Sequence, residues 1–93
     1  MRKKAIVQTV VTEARVRKLL HKMVDAGILP EDWGSEQLPV IKKHIGGVIY
    51  HDCAEEEPET VALLGKGAFG GIAVMLANEI IKDMLQEKEG KQK

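Results

Sequence analysis

Aromatic residues and cysteine are nearly absent from this chain. One phenylalanine, one tyrosine and one tryptophan are its whole aromatic supply, and Cys53 is its single cysteine. The lone cysteine excludes disulfides within the chain, and so few aromatic rings leave little surface for stacking nucleotide bases. The chain also lacks a run of about 18 apolar residues, so it predicts no membrane-spanning helix. No small-residue cleavage site follows the basic and apolar start, which predicts a cytoplasmic protein without a signal peptide.

Neither sign of charge is in excess overall, but the charges are unevenly distributed. Residues 1–51 contain nine Lys and Arg against five Asp and Glu, a balance of +4, and residues 52–93 contain five against nine, a balance of −4. Halves of opposite charge attract each other within a fold or between subunits, and a basic half also attracts a polyanion. The short length predicts one compact domain over residues 1–88 and a disordered C-terminal tail over 89–93.

The hydrophobic pattern changes its period at Thr12. The preceding stretch AIVQTVV is rich in β-branched residues and apolar on both faces, which is typical of a buried central strand. Thr12 is a favourable N-cap for a following helix, and Gly27 with Pro30 predicts the end of that helix. The apolar side of the helix recurs at helical spacing and contains Val16, Leu19, Leu20, Met23 and Val24.

The rest of the chain predicts a short helix, two strands and a final helix. An apolar helical pattern over residues 38–45 ends at Gly46–Gly47, a pair that also fits the two-residue turn of a hairpin. The stretches GVIYHDC and TVALL predict strands, and residues 69–87 predict the last helix. The order β-α-(α)-β-β-α indicates an α+β fold, a small three-stranded mixed sheet packed by two or three helices.

The stretch LLGKGAFGG has the glycine spacing of a phosphate-binding loop between a predicted strand and a predicted helix. Backbone N–H groups at a helix N-terminus bind phosphate where glycines allow close approach, which predicts a phosphate-bearing small ligand at Gly65, Lys66, Gly67 and Gly70. The alternative is that the glycines form a turn and let the last helix pack closely. The stretch also resembles the glycine-rich loop of protein kinases, but the catalytic segments of that family do not follow it.

Two further groups of residues are candidate binding sites. On a predicted strand, His51 and Cys53 point to the same face and are suitable ligands for Zn²⁺, with His44, Glu55 or a second subunit completing the site. The alternative is an ordinary polar strand end. The second group is a basic surface for contact with a nucleic-acid backbone, and its alternative is a solvated helix face. Its members are Lys3, Lys4, Arg15, Lys18 and Lys22.

The last helix predicts a subunit contact. From Phe69 to Ala77 it is apolar or glycine on all sides, which is typical of a helix buried on more than one side. Because a three-stranded sheet covers only one side, we expect a second copy of the chain to contact Phe69, Ile72, Met75 and Leu76. The sequence therefore predicts a homo-oligomeric, in the simplest case dimeric, regulatory or adaptor protein without catalytic activity. Its alternatives are a nucleic-acid-binding regulator and a sensor of a phosphate-bearing small ligand.

Overall fold

The chain is helical throughout the residues that the computed structural model describes, which are 2–90 for the backbone and 2–88 for the side chains. Helices make up 82% of these residues, and no strand occurs among them. The predicted α+β fold with its three-stranded sheet is therefore wrong, and the described chain is an all-α bundle. Its elements are α1 (Lys3–Gln8), α2 (Glu13–Asp25), a 3₁₀ turn (Ser35–Gln37), α3 (Leu38–Glu56), α4 (Pro58–Leu64) and α5 (Lys66–Gly90).

The longest helix, α5, lies at the centre of the bundle and contacts each of the other four α-helices. The buried apolar side chains of all five helices form one core within a molecule measuring 42 × 26 × 19 Å. A single core is what a chain of this length can build, since a small domain buries a limited share of its surface. The side chains that α5 contributes are Phe69, Ala73, Leu76, Ala77, Ile81 and Leu85.

The stretch predicted as the first strand is the short helix α1 followed by a turn. The Thr9 hydroxyl donates to the Ile6 carbonyl at 2.6 Å, and the Val10 and Val11 amides donate to the Val7 carbonyl at 3.0 and 2.8 Å. All three valines are buried. A β-branched run that is apolar on both faces suits any element enclosed by neighbours, and packing against α4 and α5 overrides its strand propensity.

The prediction of α2 is confirmed at both ends. The Thr12 side chain accepts a hydrogen bond from the Arg15 amide, as an N-cap does. At the other end, Gly27 has a φ of +79°, which a residue without Cβ adopts at little cost. Its amide donates to the Val24 carbonyl, and the Ile28 amide donates to the Met23 carbonyl, the Schellman pattern that ends a helix.

Where a short helix and a strand were predicted, α3 continues without a break through Gly46–Gly47. Both the strand prediction for GVIYHDC and the alternative hairpin are therefore wrong. The first glycine has a packing role, because a Cβ at Gly46 would lie 3.4 Å from Cγ2 of Val74 on α5. The buried apolar side chains recur every four residues across the glycine pair, so they form one continuous face. They are Ile41, Ile45, Ile49 and Cys53.

The predicted strand TVALL is helix α4, and Gly65 joins it to α5. Gly65 has a φ of +87°, and the chain turns there so that α4 and Lys66–Lys88 are inclined by 111°. The last helix begins at Lys66, three residues before the predicted start, and continues through Gly90. It therefore overlaps the predicted tail over 89–93, of which residues 91–93 lie outside the described residues.

Within the described part of the chain, no single helix has both the length and the apolar composition that crossing a membrane requires. Only α4 taken together with Lys66–Lys88 meets these requirements, as a sharply bent pair. Twelve apolar positions of that pair belong to the buried core or pack against it: Val61, Leu64, Phe69, Ile72, Ala73, Val74, Leu76, Ala77, Ile80, Ile81, Met84 and Leu85.

Candidate functional site: an ion-pair network and the groove beside it

Five charged side chains from α2 and the carboxyl end of α3 form one ion-pair network. Arg15 Nη1 and Lys18 Nζ lie 2.5 and 3.0 Å from the same oxygen, Oδ2 of Asp52. Lys18 Nζ also donates to Oε1 of Glu56 at 2.7 Å. The Arg15 guanidinium is 3.6 Å from a carboxylate oxygen of Glu56 and of Glu57. The opposite charges of the two halves of the sequence thus meet inside the fold.

Asp52 is the only charged residue that is buried among those described, with 8% of its surface exposed. Burial raises the pKa of Asp52. Hydrogen bonds from Lys18 and Arg15 lower this pKa by more than burial raises it, so the pKa of Asp52 lies below its ordinary value. Burial opposes the charge of Arg15, yet its hydrogen bond to Asp52 leaves the Arg15 pKa raised. Each group is therefore held in its charged form, and the network ties α2 to α3.

Arg15 also connects the network to the turn after α1. Its Nε donates to the Val10 carbonyl at 2.7 Å, and its side chain is 12% exposed. One guanidinium thereby joins the α1–α2 turn to the end of α3. Positive charge at the carboxyl end of a helix is also favourable, because the unpaired carbonyls there carry partial negative charge.

The geometry on which the predicted metal site depended is not present. His51 and Cys53 were expected on one face of a strand, but on α3 they are two helical positions apart, about 200° around the axis. His51 is exposed and Cys53 is buried, so their side chains lie on opposite sides of the helix. No group of three or more His, Cys, Asp or Glu side chains within the described residues is arranged to hold a metal ion.

The basic surface predicted for nucleic acid is divided by the ion-pair network. Arg15 and Lys18 are engaged with carboxylates of α3, so their charges are compensated. Lys3 and Lys4 are exposed on α1, and Lys22 is exposed near the end of α2. The basic surface that the sequence indicated is therefore reduced to the adjacent Lys3 and Lys4 on α1 and to Lys22 on α2. Acidic residues from the second half of the chain, which the sequence alone did not place, cause this difference.

The glycines of the predicted phosphate loop are in a different context from the one expected. Gly65 ends α4, whereas Lys66, Gly67 and Gly70 lie in the first turns of α5. No strand precedes them in the described chain, so the strand–turn–helix arrangement that supported phosphate binding is absent. The Lys66 ammonium lies 5.6 Å from the centre of the Tyr50 ring on α3, a cation–π distance.

The four residues predicted for a subunit contact divide between core and surface. Phe69 and Leu76 are buried in the core of the chain itself, with exposed fractions of 0% and 4%. Ile72 is half-buried and packs against that core. Met75 is 43% exposed and is one of four large apolar side chains that are exposed among the described residues. A contact between copies therefore stays a prediction, with Met75 as its most accessible member.

A groove lies beside the ion-pair network, between α2 and α3, with a volume of about 550 Å³. The α3 side of this α2–α3 groove follows a four-residue spacing, which places its residues along one face of the helix. This four-residue spacing is visible in the sequence, so it is the signal from which the α3 side of the groove could have been predicted. The lining residues are Leu19, Lys22, Lys43, His44, Gly47, Val48, His51, Asp52 and Glu55.

Two smaller grooves, of about 340 and 310 Å³, share Arg17, Trp33 and Met84. Trp33 is engaged within the chain, because the Lys88 ammonium lies 5.4 Å from the centre of its indole ring and donates to its carbonyl at 2.8 Å.

Comparisons with models of protein families, with curated proteins and with solved structures found no match. The geometry of the chain itself is therefore the basis for inferring function.

Proposed function

We propose that this protein is a self-associating helical regulatory or adaptor module without catalytic activity, whose copies contact one another along the exposed face of α5. The observation that carries the proposal is the exposure of Met75, which is 43% accessible in the middle of the helix that forms the centre of the core. Covering a large apolar side chain at such a position with another apolar surface removes it from water and so stabilises the complex.

The surroundings of Met75 support a close helix contact. Gly67 and Gly71 precede Met75 at successive four-residue intervals, so the three residues lie along one face of α5. Both glycines are exposed, and a Cβ at either would meet nothing within 4 Å. Glycine inside a helix costs about 1 kcal/mol relative to alanine. Packing within the chain does not require these glycines, whereas a second helix approaching this face does benefit from their missing side chains.

The chemistry of the ion-pair network supports a structural role for its residues rather than a catalytic one. Asp52 is held as a carboxylate by two cations, so it is not available as a proton donor or acceptor near neutral pH. Burial raises the pKa of the Cys53 thiol, which disfavours the thiolate that nucleophilic catalysis requires. Asp52 and Cys53, the two most buried reactive side chains among the described residues, therefore contribute to the stability of the fold rather than to catalysis.

Sedimentation equilibrium at several micromolar concentrations tests the proposal. We expect the unaltered protein to associate, and Met75→Glu to shift it towards monomer, because an uncompensated carboxylate would be buried in the contact. Val40→Glu is a matched control, since Val40 is 38% exposed on α3 and receives the same charge. That control should leave the association constant unchanged.

Two outcomes contradict the proposal. The first is a protein that sediments as a monomer at every concentration tested. The second is an equal loss of association in Met75→Glu and Val40→Glu, because the effect would then follow from the added charge and not from the α5 face. Circular dichroism on both variants establishes that the fold is retained.

A further inference from the structure

We infer that the α2–α3 groove is a binding site for a small organic anion, a carboxylate or phosphate group attached to a short apolar body. This site is independent of the α5 face. Its volume of about 550 Å³ falls within the range of roughly 300–1,000 Å³ that is usual for small-molecule sites. Leu19 and Val48 supply apolar lining, and charged and imidazole side chains lie around them.

Some charged side chains that line the groove have ion-pair partners and others do not. Lys22 and Lys43 line it, and neither ammonium has a hydrogen-bond or ion-pair partner within the described residues. Lys18, one helical turn before Lys22 on α2, is instead bound to two carboxylates. Asp52 is likewise compensated by the network, which leaves Glu55 as the one lining carboxylate without such a partner. The groove therefore offers an excess of unpaired positive charge.

The direction of the helices places both lysines along the half of the α3 lining that is distant from Glu55. Arg15, early in α2, contacts the last turn of α3, so the two helices run in opposite directions. Lys22 lies about 10 Å further along α2 and is therefore level with the middle of the α3 lining, around Gly47 and Val48, whereas Lys43 lies at the beginning of that lining. Glu55 is about 18 Å from Lys43 along α3. An anionic group fits between Lys22 and Lys43, away from Glu55, and the apolar body lies against Leu19 and Val48.

Gly47 lies in the middle of the α3 lining and keeps the groove open. It is exposed, and a Cβ built on it would meet nothing within 4 Å. A glycine at this position weakens the helix by about 1 kcal/mol relative to alanine. The neighbouring Gly46 is explained by its approach to Val74, but Gly47 has no such neighbour. The free space at Gly47 is consistent with a bound molecule that approaches the α3 backbone.

Titration followed by amide NMR spectra tests the inference with three small probes: phenyl phosphate, inorganic phosphate and benzyl alcohol. Phenyl phosphate has both the charge and the apolar body, and each of the others has one of the two. We expect saturable shifts with phenyl phosphate, centred on Lys22, Lys43, Gly47 and Val48. Binding of inorganic phosphate or benzyl alcohol should be weaker by about tenfold or more, since each lacks one class of contact.

Charge-reversal variants locate the site. Lys22→Glu and Lys43→Glu should each weaken phenyl phosphate binding by about tenfold or more, as expected when a charge-assisted contact becomes repulsive. Lys42→Glu is the matched control, because Lys42 is exposed immediately before Lys43 on α3 and does not line the groove. At near-physiological salt, screening keeps its effect on the groove small. Gly47→Leu should block the site while the protein remains folded.

Several results would overturn the inference. These are the absence of saturable shifts, shifts centred on Trp33 and Met84, or equal weakening by Lys42→Glu and Lys43→Glu. Binding of inorganic phosphate as tightly as phenyl phosphate would also overturn it, because charge alone would then explain the affinity. So would binding of duplex DNA that depends on Lys22 and Lys43 when phenyl phosphate does not bind. Retention of phenyl phosphate binding in Met75→Glu would confirm that the site is separate from the α5 face.

Discussion

At Asp52, two opposing effects act on one carboxylate. Burial disfavours its charge, and hydrogen bonds from Lys18 and Arg15 favour it by more, so the folded-state pKa is lowered. A charge enclosed in this way stabilises a fold only while its partners remain, since removal of one partner leaves the others desolvated and unpaired. Asp52 is therefore the residue on which the contact between α2 and α3 depends most.

Replacement of Asp52 should show this dependence directly. Asp52→Asn keeps the shape but removes the charge, and we expect the free energy of unfolding at neutral pH to fall by about 2 kcal/mol. The loss stays below that of a fully enclosed pair because Arg15 keeps Glu56 and Glu57 within reach. Glu55→Gln is the control, since Glu55 is exposed on the same part of α3 and has no ion-pair partner in the described chain. Urea unfolding of both variants gives the comparison.

The pH dependence has a definite sign. Because the Asp52 pKa is lower in the folded state than its ordinary value of 3.8, the unfolded chain takes up a proton at a higher pH than the folded chain does. The contribution of Asp52 to stability is therefore complete above about pH 4 and is lost as the pH falls through the folded-state pKa. We expect the stability difference between the unaltered protein and Asp52→Asn to shrink below pH 4. A difference that is constant from pH 7 to pH 3 would contradict the role of the network.

Cys53 provides a second prediction at this scale. Its side chain is fully buried, and burial raises the pKa of its thiol. We expect a thiol reagent such as dithionitrobenzoate to react only when the chain opens, at a rate that follows the unfolding equilibrium as urea is added. Rapid reaction of the native protein would show that α3 opens locally or that the thiol is accessible.

At the scale of the helix, the glycines of this chain have different roles according to their backbone conformation. Gly65 has a positive φ and turns the chain between α4 and α5, whereas Gly70 lies within α5 and has open space around it. Glycine spacing alone does not distinguish a turn from a helix interior. The helical pattern of the apolar residues on both sides does, provided that it is followed across the glycine.

A matched pair of alanine substitutions separates these roles. Gly65→Ala should lower the free energy of unfolding by about 1–2 kcal/mol, because a side chain disfavours a φ of +87°. Gly70→Ala should raise it by about 0.5–1 kcal/mol, since alanine is the better helix former and nothing lies within 4 Å of the added Cβ. Thermal unfolding measures both. A neutral or stabilising Gly65→Ala would contradict the assignment of Gly65 as the turn, and a destabilising Gly70→Ala would contradict the open space at Gly70.

At the scale of the whole molecule, one core centred on α5 holds all five helices. A domain of this size has a small margin of stability, so the loss of one large buried side chain affects the whole chain. Phe69 is the largest fully buried side chain, although the sequence assigned it to a contact between copies.

The position of Phe69 in the core leads to a prediction that distinguishes it from Met75. Phe69→Leu should lower the melting temperature at every protein concentration, because it removes packing inside one chain, at a cost of about 1–2 kcal/mol. Met75→Glu should instead reduce the dependence of the melting temperature on concentration, as loss of association does. If the effect of Phe69→Leu on the melting temperature disappeared on dilution, Phe69 would instead belong to the subunit contact.

Local signals in the sequence were sufficient for α2. Thr12 and Gly27 mark its ends through hydrogen bonds and a backbone angle that depend on nearby residues alone. Four of the five residues on its predicted apolar side, Val16, Leu19, Leu20 and Met23, are buried, and the fifth, Val24, is half-buried against the core. The lysines of the α2–α3 groove could also be placed on exposed helix faces from their spacing. Which lysines are paired could not, because the partners of Arg15 and Lys18 are 37 and 38 residues away.

Whether the apolar stretches of α1, α3 and α4 form strands or helices was decided by tertiary structure. Each is short or interrupted by glycine, and each is rich in residues that favour strands when considered alone. In the bundle, α5 offers every one of them an apolar surface, and burial against it outweighs local propensity. The sequence by itself determined which side chains are apolar and where α2 begins and ends. Only the tertiary structure decided that these side chains meet on helices, since the free energy of packing depends on a partner that no local stretch contains.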